Sequence, residues 1–299
     1  MYLNKTLKKF FSTTIKNMKN IEKISVIGSG VMGSGIGQVS AQEKYNVIII
    51  DRNEASLHNS KIVISKSIDK VAKKKFCDNL HDREVFKNEV LDRIKFTTNL
   101  KYALCGTDLV IEAITEDIND KQKLFKIIEE NTKDDTILTT NTSSLSIARI
   151  SENLKNKQNF GGLHFFNPVP VMKLLEVITT DKTSNEVLET LMNYGNRIGK
   201  VPVKCKDTPG FIVNRLLYPY LFDAIRLYEN NIARKEDIDK AMKLGASHSM
   251  GPFELLDFIG LDIIDKIMQQ YPEKHSKVLK ELVKNNQYGI KSGEGFYKY

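Results

Sequence analysis

The chain has 299 residues, of which 41% are hydrophobic and 27% are charged. This composition is typical of a globular protein with enough apolar material for about two domains. The sequence contains no uninterrupted apolar run of about 18 residues, so we expect no membrane-spanning segment. Its three cysteines, Cys77, Cys105 and Cys205, lack the spacing of a metal site or a disulfide framework, and we therefore expect no bound metal and a reducing compartment.

The net charge of +8 is concentrated at the N-terminus. Residues 1–20 contain five lysines and no acidic residue, and their apolar side chains share one helical face opposite the lysines: Leu3, Leu7, Phe10 and Phe11. A basic amphipathic segment of this kind is typical of a mitochondrial transit peptide, which predicts a mitochondrial matrix protein. A disordered basic tail is the alternative, because transit peptides are usually rich in arginine. The rest of the chain is only mildly basic, so we expect no nucleic-acid binding.

Residues 21–206 alternate short β-branched runs with amphipathic helical stretches, a pattern that predicts an α/β fold with a mostly parallel sheet. The interval between Asp51 and Ile94 is too long for one crossover and is broken near Asp78 and Asn79. It predicts two helices that form an arm outside the sheet. The predicted strands are 23–27, 47–50, 94–97, 109–113, 136–140, 161–165, 174–178 and 201–205.

The pattern changes at residues 207–210, where Asp-Thr-Pro-Gly predicts a turn. Residues 207–299 then predict an all-helical C-terminal domain. Its first helix is apolar on nearly every face and must therefore be buried. A homodimer interface and the core of one subunit are both open as the place of burial. The predicted helices are 211–230, 235–244, 252–270 and 276–286.

A candidate acid/base pair lies between residues 161 and 176. His164 ends a short apolar run before an Asn167-Pro168 turn, and Glu176 follows twelve residues later. A strand, a turn and a second strand would bring the imidazole and the carboxylate together. Histidine titrates near neutral pH, and a carboxylate on its far nitrogen fixes the tautomer and stabilises the imidazolium. A hydrogen-bonded core histidine is the alternative.

A glycine-rich loop follows the first predicted strand and begins a helix, which indicates a Rossmann-type dinucleotide site. Glycines in this spacing permit a tight turn and the approach of a pyrophosphate to a helix N-terminus. Asp51, at the end of the second strand, is placed to accept ribose hydroxyl groups and to repel a 2′-phosphate, which favours NAD over NADP. Arg52 leaves NADP open. The predicted cofactor loop is Gly28, Ser29, Gly30, Val31, Met32 and Gly33.

From Lys23 to Tyr299 the chain resembles the L-3-hydroxyacyl-CoA dehydrogenase family, in its short, monofunctional mitochondrial form. The resemblance rests on long strings in the same order, among them GSGVMGSGI, LVIEAITE, NTSSLSI, GLHFFNPVPVMKLLEVI, CKDTPGFIVNRLLYPYL and MGPFELLDFIGLD. It implies NAD-dependent oxidation of L-3-hydroxyacyl-CoA to 3-ketoacyl-CoA in fatty acid β-oxidation, carried out by a homodimer.

The resemblance also implies roles for individual residues. His164 would be the catalytic base and Glu176 the residue that orients it, while Ser143 and Asn214 would hold the substrate near the nicotinamide. Further cofactor contacts are implied for Glu116, Lys121, Ser143, Asn167 and Lys291. Contacts to coenzyme A are implied for Ser67, Lys74 and Ser143.

Several alternatives remain open from the residues alone. The arm lysines, among them Lys66, Lys70 and Lys74, are either a solvated helix face or an attractor of the phosphates of coenzyme A. Ser143 could instead be a helix N-cap. The enzyme could be a dehydrogenase of free 3-hydroxy acids, or the chain could be a non-catalytic NAD-binding or structural protein of the same fold.

Overall fold

The computed structural model describes residues 19–269, 271 and 275–299. The predicted transit peptide therefore lies almost entirely outside the described residues. Lys19 is described: its backbone N–H donates to Thr190 Oγ1 at 3.1 Å, and its Nζ lies 3.0 Å from Asp135 Oδ2. This lysine is thus part of the folded chain. The chain divides into two compact units between Phe211 and Ile212, a few residues beyond the predicted start of the second domain at 207.

The first unit contains an eight-stranded sheet in the order β3-β2-β1-β4-β5-β6-β7-β8. All neighbouring strands are parallel except β6 and β7, which are antiparallel. All eight predicted strands are present to within one residue at each end, and the predicted fold class is confirmed. The strands are β1 (Lys23–Ile27), β2 (Asn46–Ile50), β3 (Ile94–Thr97), β4 (Leu109–Glu112), β5 (Ile137–Thr140), β6 (Phe160–Phe165), β7 (Leu174–Thr179) and β8 (Val201–Lys206).

Seven α-helices of this unit connect the strands. Most begin at an Asn, Asp or Ser whose side chain accepts a backbone N–H, as Asn79 does from Asp82 at the break predicted between the arm helices. The helices are α1 (Val31–Gln42), α2 (Glu54–Lys75), α3 (Leu80–Asp92), α4 (Leu100–Leu104), α5 (Ile118–Glu130), α6 (Ile147–Ile150) and α7 (Asn185–Arg197). A short 3-10 turn at Lys157–Asn159 precedes β6.

The core of the first unit lies on both faces of the sheet. Successive residues of a strand point to opposite faces, and in β2 Val47 and Ile49 join one apolar cluster while Ile48 and Ile50 join the other. A sheet covered on both faces requires strands that are apolar without alternation. This is why β2 reads as a continuous run of aliphatic residues.

The second unit is helical, with five α-helices in its described part. One correction concerns the single helix predicted over 252–270. Residues 252–268 form two helices, because Gly260 has φ 106° and this value is incompatible with a continuous helix. The helices are α8 (Val213–Glu229), α9 (Lys235–Gly245), α10 (Pro252–Ile259), α11 (Leu261–Met268) and α12 (Lys277–Lys284). A 3-10 turn at Ile290–Ser292 follows. No described helix is both long and apolar enough to cross a membrane.

A second correction concerns α8. The helix begins after Phe211, which has φ 49°, and it is not buried on every face. Leu221 and Ile225 are fully buried, whereas Leu216 and Leu227 are 70% and 44% exposed in the single chain. The core of one subunit therefore does not bury every face of α8, so that alternative is wrong, and burial in a homodimer interface stays a prediction.

Candidate active site

His164 and Glu176 lie opposite each other on the antiparallel strands β6 and β7. The chain reverses between them through the Asn167–Pro168 peptide, which is cis. His164 Nδ1 lies 2.6 Å from Glu176 Oε2, and the side chains are 7% and 0% exposed. The strand, turn and strand predicted from the sequence thus bring the imidazole and the carboxylate into hydrogen-bond contact.

Two aromatic rings pack beside the imidazole of His164. The ring centroid of Phe166 lies 4.5 Å from that of His164, and the centroid of Phe211 lies 5.5 Å away. Because Glu176 occupies Nδ1, Nε2 is the nitrogen that can exchange a proton with a bound molecule. The packing holds the ring in one orientation, which a positioned acid/base group requires.

The position of this pair in the sheet supports a function beyond core packing. β1, β2, β4, β5 and β6 run parallel to one another, so their carboxyl ends share one edge. His164 lies at the end of β6, and Asn141 Oδ1 after β5 accepts the backbone N–H of Phe165 at 2.9 Å. Open α/β sheets bind their ligands outside this edge.

Two glycines of the predicted cofactor loop are required by close backbone packing. Gly28 has φ 104°, and a Cβ there would lie 2.4 Å from Ala113 O. A Cβ on Gly33 would lie 1.8 Å from Gly28 O. Gly30 differs, because no atom lies within 4 Å of its added Cβ. The space beside Gly30 at the start of α1 fits the approach of a pyrophosphate to the helix N-terminus.

Asp51 contacts this loop directly. Its Oδ2 accepts the backbone N–H of Ser29 at 2.9 Å and the Ser29 hydroxyl at 2.7 Å, and its Oδ1 accepts the backbone N–H of Asn53 at 3.2 Å. Burial raises the pKa of Asp51, but these hydrogen bonds outweigh burial and hold the pKa below its ordinary value. The charged carboxylate of Asp51 therefore directly follows β2, in the position that recognition of ribose hydroxyl groups requires.

Ser143 is held by Glu116. Glu116 Oε1 accepts the backbone N–H of Ser143 at 2.7 Å, its hydroxyl at 3.1 Å and the Thr142 hydroxyl at 2.9 Å. The alternative that Ser143 caps a helix is wrong, because Ser146 caps α6. Glu116, in the connection after β4, and Ser143, in the connection after β5, are thus in direct contact.

Lys121 is more buried than its implied role in cofactor binding suggests. It is 1% exposed, and its Nζ lies 2.5 Å from Glu112 Oε1 and 3.5 Å from Glu116 Oε2. Glu112 was not predicted as a site residue. The sequence did contain a signal for Glu112. It ends the apolar strand LVIE at the ligand-binding edge, where a carboxylate must be buried and paired.

The remaining predicted residues of the first unit lie apart from these contacts. Ser67 is half-buried and Lys74 exposed on α2, and Asn167 is exposed in the turn after β6. Within residues 19–211, no hydrogen bond joins Ser67, Lys74 or Asn167 to the pairs described above.

Two predicted residues belong to the second unit. Asn214 lies in the first turn of α8 and is buried, with 9% of its surface exposed. Lys291 lies in the 3-10 turn near the C-terminus, where its Nζ is 2.5 Å from Asp262 Oδ1. The ion pair holds that ammonium close to the start of α11.

Comparison with known proteins identifies the family of the chain. Residues 23–208 match the family model of the 3-hydroxyacyl-CoA dehydrogenase NAD binding domain, and residues 210–299 match that of its C-terminal domain. A probable 3-hydroxyacyl-CoA dehydrogenase of Caenorhabditis elegans is 52% identical over 295 residues, which cover 96% of each chain. The mitochondrial hydroxyacyl-coenzyme A dehydrogenase of Homo sapiens is 49% identical, with 93% of this chain and 91% of the human one covered.

A solved structure gives the same result for the fold. The (S)-3-hydroxybutyryl-CoA dehydrogenase from Ralstonia eutropha superposes with a TM-score of 0.86 at 35% identity, over 94% of this chain and 99% of the other. The predicted family is confirmed, and so is the predicted cofactor, because the first family model describes an NAD-binding domain. The chain belongs to the 3-hydroxyacyl-CoA dehydrogenase family of NAD-dependent oxidoreductases.

Proposed function

We propose that the chain oxidises the 3-hydroxyl group of an L-3-hydroxyacyl-CoA with His164 as the general acid/base. The observation that carries this proposal is the 2.6 Å contact between His164 Nδ1 and Glu176 Oε2 at the carboxyl edge of the sheet. His164 Nε2 takes the hydroxyl proton while a hydride leaves C3 of the substrate, and Glu176 stabilises the imidazolium that forms. In the reverse direction the imidazolium returns the proton.

NAD fits the residues of this chain. The open space beside Gly30 and the charged carboxylate of Asp51 suit a pyrophosphate and ribose hydroxyl groups. Residues 28–33 and Asp51 would hold the dinucleotide, and Glu116, Lys121, Asn167 and Lys291 are the further contacts we propose. When bound, NAD supplies the acceptor for the hydride.

The arm is the proposed site for coenzyme A. Ser67 and Lys74 lie seven residues apart on one face of α2, and Lys66 and Lys70 on the same face are exposed. Such a basic face attracts the phosphate groups of coenzyme A. Ser143 and Asn214 would hold the reacting end of the substrate.

Location and assembly are part of the proposal. Relatives from three mammals are named as mitochondrial enzymes, and the basic N-terminal segment suits import into the matrix. Since Lys19 contacts Thr190 and Asp135, we place the end of the transit peptide before Lys19. The exposed leucines of α8, Leu216 and Leu227, suit a homodimer interface.

An activity panel tests the proposed function. L-3-hydroxyacyl-CoA esters from C4 to C16 are supplied with NAD or NADP, and free 3-hydroxybutyrate serves as the control substrate. We expect NAD-linked turnover of at least one ester and none of the free acid. Turnover of the free acid at the rate of the esters, or no turnover of any ester, would contradict the proposal. The panel also gives the chain-length preference.

A further inference from the structure

Glu112 is a buried carboxylate at the end of β4 that has three hydrogen-bond donors. Its Oε1 accepts from Lys121 Nζ at 2.5 Å and from the backbone N–H of Ile114 at 2.7 Å, and its Oε2 accepts from Thr140 Oγ1 at 2.6 Å. The side chain is 0% exposed. A buried charge is costly unless it is paired and hydrogen-bonded, and these three donors meet that requirement.

Lys121 connects this carboxylate to a second one. The lysine lies near the start of α5, and its Nζ, besides the contact with Glu112, lies 3.5 Å from Glu116 Oε2. The Glu116 side chain is 37% exposed, against 1% for Lys121. The single ammonium therefore bridges one carboxylate sealed inside the unit and one at its surface.

Glu116 in turn holds Ser143 through its other oxygen, Oε1. The result is a continuous series of charge-assisted contacts, Glu112 to Lys121 to Glu116 to Ser143, which joins the connection after β4 to the connection after β5. We call this series the carboxylate relay. Its inner end is fixed by the sheet, because Glu112 pairs with Thr140 in the β4–β5 register.

The geometry points to Glu112 as a positioning residue of the active site, acting through Lys121 and Glu116 on Ser143. This inference rests on the proposed function, in which Ser143 holds the substrate. Two carboxylates share one ammonium, and the shorter contact is with Glu112. Loss of the charge on Glu112 would release Lys121 toward Glu116, and Glu116 would then turn from Ser143.

The first test is Glu112→Gln, which keeps the size of the side chain and removes its charge. We expect KM for the acyl-CoA ester to rise and kcat/KM to fall about tenfold, because a charge-assisted hydrogen bond to Ser143 is weakened. The matched control is Thr139→Val, which removes the buried hydrogen bond from Thr139 Oγ1 in β5 to Val110 O in β4 but does not touch the relay. The control should lower the midpoint of urea unfolding and leave KM within about twofold.

A double-mutant cycle separates positioning from a merely structural role. In the Ser143→Ala background and at saturating NAD, Glu112→Gln should change kcat/KM for the ester by no more than about twofold, since the hydroxyl that the relay positions is already gone. If Glu112→Gln fails to fold, Thr140→Val replaces it. This variant keeps every charge but removes one donor to Glu112 and the acceptor of the Thr142 backbone N–H. It should raise KM by about threefold, and the Ser143→Ala background should again abolish the rise.

The outcomes are distinct. A KM rise that disappears in the Ser143→Ala background supports the relay. Kinetic constants of Glu112→Gln, or of Thr140→Val where that variant replaces it, within twofold of wild type would overturn it. A loss of kcat/KM that is additive with Ser143→Ala would do the same. Wild-type protein without turnover of any ester would refute the proposed function, and this inference with it, whereas an active wild type with an unaffected Glu112 variant refutes the relay alone.

Discussion

Two carboxylates, one buried and one half-buried, determine what the site can bind and do. Glu176 is fully buried against His164, and Asp51 is held in its charged form by Ser29. Glu176 lies where His164 needs a hydrogen-bond acceptor, and Asp51 lies where ribose hydroxyl groups would need one. The backbone N–H groups of Ser29 and Asn53 hold the Asp51 carboxylate, and the β6–β7 register places Glu176 opposite His164, so the site is organised before any ligand binds.

The role of Asp51 leads to a prediction about cofactor choice. Asp51→Ala should raise KM for NAD about tenfold and narrow the preference for NAD over NADP, because both the hydroxyl acceptor and the repulsive charge are lost. Ser29→Ala is the matched control, since it removes one donor but keeps the carboxylate, and the preference should persist. Steady-state kinetics with both cofactors measure this. If the ratio of kcat/KM with NAD to kcat/KM with NADP were unchanged in Asp51→Ala, another residue would have to recognise the ribose hydroxyl groups.

The pKa of Asp51 gives the pH range of this preference. Because the pKa lies below its ordinary value, the contribution of Asp51 to stability is present above the unfolded-state value of about 3.9 and is lost as the pH falls through the folded-state value. The carboxylate is thus charged at neutral pH, and the preference for NAD should not change with pH in that range.

At the scale of secondary-structure elements, the strand, loop and helix at residues 23–42 depend on two glycines for different reasons. Gly33→Ala would place a Cβ 1.8 Å from Gly28 O, so we expect a lower midpoint of thermal unfolding. Gly30→Ala has open space, so it should keep its stability and weaken NAD binding by filling the place of the pyrophosphate. Calorimetric NAD titration and thermal melts measure both. Equal unfolding midpoints for the two variants would contradict this assignment.

The connection between β6 and β7 is held by Lys200. Its Nζ donates to Val169 O and, at 2.8 Å, to Met172 O, and the residue is 7% exposed. Burial, with the nearby charge of Lys173, lowers the pKa of Lys200 to about 8. Because the unfolded-state value is about 10.4, the unfolded chain binds more protons between these two pH values, and stability due to this group rises with pH there.

The rise of stability with pH at Lys200 gives a prediction. The free energy of unfolding of the wild type, minus that of Lys200→Met, should increase from about pH 7 to about pH 10. Urea unfolding of both proteins at several pH values in this range measures the difference, and other titrating groups cancel in the comparison. A difference in the free energy of unfolding that stays constant with pH, or falls, would contradict a lowered pKa of Lys200.

The sequence predicted elements better than it predicted pairings between side chains. Every strand of the sheet could be located from a short apolar or β-branched run, and in β2 the continuous aliphatic run at residues 47–50 is what a strand covered on both faces requires. The break at Gly260 and the pairing of Glu112 with Lys121 were missed. The period of a pattern shows which face is buried, but it does not give the backbone angles of one glycine or the partner of one carboxylate.

At the scale of the whole molecule, the chain consists of an NAD-binding unit, a helical unit and a basic N-terminal segment. Deletion of residues 1–18 should leave the kinetic constants unchanged, because Lys19 and its contacts with Thr190 and Asp135 are retained. The same deletion should move a tagged protein from mitochondria to the cytosol. Fluorescence microscopy and fractionation measure the location, and a deletion variant that is still imported would contradict the transit-peptide prediction.

The most direct measurement of the central claim is the steady-state turnover of wild type, His164→Ala and Glu176→Gln with L-3-hydroxybutyryl-CoA and NAD. Because general acid/base catalysis contributes about 10² to 10⁴-fold in rate, kcat of His164→Ala should fall by a factor in that range. Glu176→Gln should fall in the same direction by a smaller factor, while unfolding midpoints confirm that both variants are folded. Turnover of His164→Ala equal to that of wild type would contradict the assignment of His164 as the catalytic acid/base.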